Sequence, residues 1–367
     1  MKGVLKKGGD NLFYSFSNDD GKRWIMPKRR MSTAMNLYQP SHWKGKLAKS
    51  LFPYVNQINF VRNVIGAEMH NYELEDEIKH LLCNLFKKKN IEFSVFCGTP
   101  SVFQKSTIQI SLGNEILGYC KVTRNEEIKK IFFHENQVLE FLNRRGISSI
   151  PECLYSGALN KNTEVFIQNT IKTNSSKITN KWSDLHTTFL NDLHQKTQVK
   201  IPFEETDFAH SLNVLEGFLA SMPTVDSDLI KKALLAVRNF FGEGTVEFSV
   251  FHADFTPWNM FVEKDELFVF DFEYAKFTFP PYLDFFHFIT QIEIIEKKSS
   301  HVNIYNSCEI FSHRIPYLKQ NFSIQYLSYL LAVVAFYFKI NKKALGKDDK
   351  CYKRWLPLIR LIVNKKL

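Results

Sequence analysis

Phe251–Glu273 reads FHADFTPWNMFVEKDELFVFDFE, and this stretch decides the fold. It sets four polar residues, His252, Asp254, Asn259 and Asp271, among apolar runs. Met260–Val262 and Leu267–Phe270 are strand-like and are bounded by the polar residues Glu263–Glu266. That pattern predicts a hairpin with a loop of four or five residues. The shorter loop sets Asn259 opposite Phe270, and the longer one sets it opposite Asp271. Either register brings Asn259 and Asp271 to the same open end of the hairpin. An amide oxygen and a carboxylate there suit Mg²⁺, a hard cation that takes oxygen ligands and leaves room for phosphate oxygens. Asp254 lies five residues before Asn259, in the loop entering the hairpin, where a base could reach a substrate hydroxyl. A base, an amide ligand and a carboxylate ligand in this order form the layout of a phosphoryl-transfer site.

His-x-Asp-x-x-x-x-Asn, then eleven residues, then Asp-Phe-Glu resembles the catalytic and metal-binding motifs of the aminoglycoside phosphotransferase and choline kinase superfamily. Asp271-Phe-Glu-Tyr274 looks especially like choline and ethanolamine kinases. Phe255-Thr-Pro-Trp-Asn259 looks more like other bacterial members. The resemblance implies an α+β, two-lobed protein-kinase-like fold, with an antiparallel sheet in a small lobe and a larger, mostly helical lobe. It implies ATP and Mg²⁺ as cofactors, with Asp254 as catalytic base and Asn259 and Asp271 as metal ligands. One position departs from the family: Ala253 stands where Gly or Asn is usual, although a small residue is kept. The resemblance spans about residues 71–300.

Upstream, Phe93–Phe96, Ser106–Leu112 and Ile116–Val122 read as strands. Cys97-Gly98-Thr99-Pro100-Ser101 lies between the first two. A strand, a Gly turn and a second strand can lay backbone N–H groups over phosphates, which makes Gly98, Thr99 and Ser101 candidate nucleotide contacts. Only one Gly stands where protein kinases have three. Lys121 lies inside an apolar strand and needs a partner or a ligand there. The resemblance implies that it meets the α/β-phosphates and pairs with a helix glutamate. Glu135, on the helix spanning about 126–144, fits that role, whereas Glu126 and Glu127 lie in its first turn, where acids commonly cap. Val165–Ile171 reads as a strand entering the hinge between lobes. His194 and Asp284 resemble structural residues of the family, Asp284 steadying the catalytic loop by accepting backbone N–H bonds.

The 367 residues allow about two domains. A hydrophobic content of 44% with 23% charged residues is that of a globular chain. The six cysteines form no CxxC pair and join no Cys/His cluster, so they predict reduced thiols and a cytoplasmic setting. No apolar leader is visible, and the run Tyr329–Phe338 is too short to span a bilayer.

The net charge of +10 is uneven. Residues 1–50 hold eleven Lys/Arg against three Asp/Glu, so they carry +8 and the remainder only +2. Turn signals at Gly8-Gly9 and Asn18–Gly21 add to the impression of a loop-rich segment. The division predicted is a basic N-terminal extension at 1–50, a nucleotide-binding lobe at 51–170, and a catalytic and acceptor-binding lobe at 171–367. A basic arm laced with Trp24, Tyr38 and Trp43 suits weak contact with an anionic surface. It equally suits a solvated extension packed on the lobe behind it and dispensable for turnover. No nucleic-acid-binding motif is present.

These signs predict an ATP-dependent phosphotransferase acting on a hydroxyl of a sugar, a saccharide unit or an amino alcohol. The alternatives are antibiotic phosphorylation and a nucleotide-binding pseudokinase-like module. The intact Asp254, Asn259 and Asp271 speak against the module. Protein-kinase activity is disfavoured, because Pro280-Pro281 follows the metal carboxylate within ten residues and leaves no activation segment.

Overall fold

The structure, a computed structural model, describes residues 4–40, 43–55, 58, 66–100, 104–242, 246–340 and 350–366. It forms two compact units. The first comprises Met1–Arg144, Ser148–Ile178 and Phe261–Glu273, and the second Arg145–Ile147, Thr179–Met260 and Tyr274–Leu367.

The first unit is built on eight strands: β1 (Leu5–Ser17), β2 (Arg23–Pro27), β3 (Glu68–Leu74), β4 (Glu92–Phe96), β5 (Ser106–Leu112), β6 (Glu115–Thr123), β7 (Cys153–Asn160) and β8 (Thr163–Asn169). They form one sheet in the order β3-β1-β2-β4-β5-β6-β8-β7. Among the described residues its helices are α1 (Met31–Ala34), α2 (Trp43–Val55), α3 (Asp76–Leu85) and α4 (Glu126–Arg144).

Strand alternation sorts side chains between the two faces. Phe13, Ile25, Val95, Ile108, Ile110, Cys120, Val122, Val165 and Ile167 form one apolar cluster with Ile78 and Leu82 of α3. The opposite face carries Tyr14, Trp24 and Met26, packed with Met31, Ala34, Met35 and Phe52. On that second face Thr107, Lys121 and Phe166 stand abreast across β5, β6 and β8. Gln109, on the same face, donates to the Thr33 carbonyl at 2.8 Å, which ties α1 to the sheet.

The segment 1–50 is therefore not an extension. Its first half supplies β1 and β2, and β1 lies between β2 and β3. The Asn18–Gly21 turn signal was correct, but it joins two strands: Lys22 N–H donates to Asn18 Oδ1 at 2.9 Å. Summed charge hid the strands, because the lysines and arginines sit at their ends and edges. Lys6 meets Asp76 at 2.9 Å and Arg30 meets Glu92 at 3.1 Å, while Phe13, Tyr14, Ile25 and Met26 are buried.

A hairpin of β11 (Met260–Glu263) and β12 (Glu266–Val269) is pinned to the first unit. Lys177 and Val262 exchange two backbone bonds of 2.9 and 2.8 Å, and Val269 N–H donates to the Ser149 carbonyl. The strands run longer than the sequence suggested, leaving a two-residue turn. Lys264 and Asp265 take φ of 50° and 62°, the left-handed pair such tight hairpins need. Phe261 stacks on Phe268 at 5.0 Å, which matches the register of the shorter predicted loop.

The second unit is mostly helical: α5 (Asp184–Thr197), α6 (Asp207–Gly217), α7 (Thr224–Gly242), α8 (Leu283–Ile295), α9 (His301–Ser312), α10 (Pro316–Ile340) and α11 (Lys350–Lys366). Strands β9 (Val199–Lys200), β10 (Glu247–Phe251) and β13 (Lys276–Phe279) form a small sheet in the order β13-β10-β9. By length and composition Pro316–Lys339 could cross a membrane, but 72% of its most apolar window is buried inside the protein, as in a core helix. It extends well beyond the run Tyr329–Phe338 read from the sequence. In α11, Trp355, Leu358, Ile359 and Ile362 are buried, so its apolar stripe packs on the unit.

Candidate active site

Each unit carries its own constellation. In the first, Lys121 sits mid-strand on β6, where the pleat directs it to the face opposite the larger apolar cluster. Its Nζ donates to both carboxylate oxygens of Glu135, at 2.8 and 2.7 Å, and to Asp271 Oδ1 at 2.6 Å. Glu135 is wholly buried on α4. It is thus the helix glutamate expected from the sequence, while Glu126 and Glu127 pair with Lys129 and Lys130 at the surface. Burial works against the Lys121 ammonium, but Asp271 and Glu135 hold it well above its ordinary range. Burial pushes the Glu135 carboxyl up, and the Lys121 charge opposes that push. A buried lysine needs this pairing to stay charged.

Two members of this group escaped sequence reasoning. Lys105, just before β5, is bonded to Glu273 and lies 4.0 Å from Asp271. Oxygens of Glu135, Asp271 and Glu273 lie within 4.8 Å of one another, so two lysines offset three carboxylates. The only sequence signal was the Glu at the end of Asp-Phe-Glu, and nothing marked Lys105.

Gly98 lies in the β4–β5 loop with φ +83°, and a Cβ there would come within 2.1 Å of the Lys105 carbonyl. Only glycine fits that approach of backbone to backbone. Thr99 is exposed, and Ser101 lies outside the described residues.

The second unit holds Asp254 and Asn259. β10 ends at Phe251, and Asp284 on α8 accepts backbone N–H bonds from His252 at 2.8 Å and Ala253 at 3.1 Å. This is the loop-steadying contact expected of Asp284. Burial pushes its carboxyl up to about 7, against the pull of those two donors. Asp254 N–H in turn donates to His252 Nδ1 at 3.2 Å. A short 3-10 turn, Pro257–Asn259, leads into β11. Asn259 Nδ2 donates to the Asp254 carbonyl at 3.0 Å and to Asp254 Oδ2 at 2.7 Å.

A third partner of Asp254 was not legible in the sequence. His287 Nε2 lies 3.3 Å from Asp254 Oδ1, and its Nδ1 lies 3.3 Å from the Tyr329 hydroxyl. His287 is one helical turn beyond Asp284 on α8, a spacing that puts both on one face.

Each unit offers an oxygen donor of the kind a hard cation takes. Both acceptors around Asn259 are oxygens, so its amide nitrogen faces them and its oxygen remains for a metal. Asp271 supplies a carboxylate that keeps about a quarter of its side-chain surface exposed.

The fold, an antiparallel sheet unit joined to a helical one, is that of the kinase-like phosphotransferases. Aminoglycoside phosphotransferase APH(4)-Ia has a similar structure, at 12% identity and a TM-score of 0.52 over 79% of this chain and 99% of that one. A thermostable mutant of that enzyme, in a ternary complex with AMP-PNP and hygromycin B, gives 11% identity and a TM-score of 0.53 over 78% and 98%. At such identity the likeness is one of fold. No protein-family model matches the chain, and no curated protein matches it in sequence.

Proposed function

We propose that the protein is an ATP-dependent phosphotransferase that moves the γ-phosphoryl group to a hydroxyl of a small molecule: a sugar, a saccharide unit or an amino alcohol. The observation that carries this reading is the three-way contact of Lys121 with Glu135 and Asp271. A buried lysine already held by one carboxylate and shared with a second, partly exposed one is set to meet phosphate oxygens.

Asp254 takes the proton of the acceptor hydroxyl as that oxygen bonds to the γ-phosphorus and the bond to the bridging oxygen of ADP breaks. Lys121 neutralises charge on the phosphates, and the loop at Gly98 and Thr99 offers them backbone N–H groups. Asn259 and Asp271 would hold Mg²⁺, which supplies charge compensation for the phosphates when bound. Catalysis is then positioning and electrostatic stabilisation. A second reading, phosphorylation of an antibiotic, draws on the hygromycin B bound to the structural neighbour.

The test is ATP consumption over a panel of hydroxyl acceptors, with product mass measured, alongside calorimetric MgATP titration. Asp254→Asn should lower transfer by roughly 10²–10⁴ and keep MgATP binding, because the amide retains size but cannot take the proton. Asp271→Ala should damage both. Equal loss of MgATP binding in the two variants would overturn the division of roles. Intact binding with no turnover on any acceptor would favour the pseudokinase-like module instead.

A further inference from the structure

We propose that His287 is a positioning residue for Asp254, held by Tyr329 in the tautomer that donates Nε2–H to the carboxylate. This rests on the reading of Asp254 as the base. Asp254 Oδ1 is 3.3 Å from His287 Nε2, and His287 Nδ1 is 3.3 Å from the Tyr329 hydroxyl. An ionised carboxylate can only accept, so a bare Nε2 facing it would set lone pair against lone pair. The nitrogen near Asp254 therefore carries the hydrogen, and Nδ1 is the acceptor.

Tyr329 supplies the complementary donor. It is fully buried on α10, and burial raises its phenol well above the ordinary range, so the hydroxyl keeps its proton. Its ring lies edge-on to His287 at 5.8 Å and is stacked with Tyr326 at 6.1 Å, which fixes the direction of the donor. His287 itself is 6% exposed, so no water network at the surface competes for its ring.

The consequence is a carboxylate clamped at both oxygens, Oδ2 by Asn259 at 2.7 Å and Oδ1 by His287. Rotation about the Cβ–Cγ bond would break both contacts. Each oxygen still has a second lone pair, and a third of the Asp254 side chain is open, so the group can accept a proton while its orientation is fixed. A base held in place needs no reorganisation when the acceptor arrives.

The test uses the full chain labelled with ¹⁵N-histidine. Two-bond ¹H–¹⁵N spectra at neutral pH, with His287 assigned by its loss in His287→Gln, should show an Nε2-protonated ring. Tyr329→Phe should shift that ring toward a mixture of tautomers, and Asp254→Ala should move the Nε2 proton upfield. Phosphate release from MgATP, with water as acceptor, supplies the second readout. His287→Ala should lower kcat about 10- to 100-fold, the weight of one hydrogen bond to a charged group, with the KM for MgATP unchanged. His287→Gln, which offers an N–H at nearly the same place, should recover most of the loss. An Nδ1-protonated ring, spectra indifferent to both variants, or a kcat equal in His287→Ala and the parent would overturn the proposal. The tautomer is read without turnover. A chain that never consumes ATP would sink the phosphotransferase reading and leave the clamp to be judged by the spectra.

Discussion

Lys121→Met should destabilise the first unit in a manner that betrays the charge state of Glu135. Methionine keeps the lysine stem and its packing and removes only the ammonium, which lies 2.7 Å from Glu135. Glu135 is 0% exposed and would be left as an isolated buried carboxylate. It escapes by taking up a proton. From an ordinary value of 4.5, protonation at pH 7 costs roughly 3 kcal/mol, at 1.36 kcal/mol per pH unit. That ceiling agrees with the roughly 3–5 kcal/mol seen when one partner of a buried pair is removed. Asp271 adds little, since it is partly exposed and Lys105 remains 4.0 Å away.

The folded variant then holds a proton that the unfolded chain has released above pH 4.5. Burial raises Glu135 to about 7 in the parent as well, so the two chains share this slope below pH 7, and the variant's stability relative to the parent should fall above it, by up to about 1.4 kcal/mol per unit. Lys121→Met with Glu135→Leu should regain most of the loss, as apolar replacements of buried pairs often do. Hydrogen exchange of β5 and β6 amides in graded urea would measure the first unit alone. A Lys121→Met variant as stable as the parent at pH 9, or one equally weakened at pH 7 and pH 9, would refute the reasoning.

Two further outcomes follow from burial. A chain truncated to start at Leu51 loses β1 and β2, with Phe13, Tyr14, Trp24, Ile25 and Met26, so its first unit should fail to fold. A native melting profile for the truncated chain would show that the sheet does not need them. In the second unit, burial holds the His186 imidazole down at about 4 from 6.5, so the folded chain stays neutral there while the unfolded chain binds a proton. Relative to His186→Gln, the parent unit should lose roughly 3 kcal/mol as pH falls from 6.5 to 4 and no more below that, while the Asp284 carboxyl, raised to about 7, gives the opposite slope in both chains. Urea midpoints over this range should therefore differ in slope between the parent and His186→Gln; an identical slope in both would remove the His186 contribution.

What could be read in the sequence was local or periodic. A lysine inside an apolar strand needs a partner, and the resemblance to the kinase family pointed to Glu135 on the next helix, which the structure pairs with it. Asp284 was legible through the same resemblance, and the hairpin through its pattern of apolar runs about a polar loop. Lys105, Glu273 and His287 were not, since their contacts join residues far apart in the chain: 168 positions for Lys105 with Glu273 and 33 for His287 with Asp254. The first fifty residues misled because net charge averages over strand ends and ignores the consecutive apolar residues of β1 and β2, which are buried on both faces of the sheet.

Ala253 shows how a departure from a motif acquires a cause only in three dimensions. It takes φ 68°, and Asp271 takes φ 70°, both in the left-handed region that glycine and asparagine tolerate best. Each placement costs an L-residue roughly 1–2 kcal/mol. The strain persists where other contacts over-determine the backbone. At Ala253 the Asp284 carboxylate supplies them, accepting the N–H groups of residues 252 and 253 together. At Asp271 the ion pair to Lys121 does so. The two strained residues directly precede or constitute the carboxylates assigned to proton transfer and to metal. A relaxed backbone at either point would aim those side chains elsewhere, so the fold spends stability on the directions of Asp254 and Asp271 themselves.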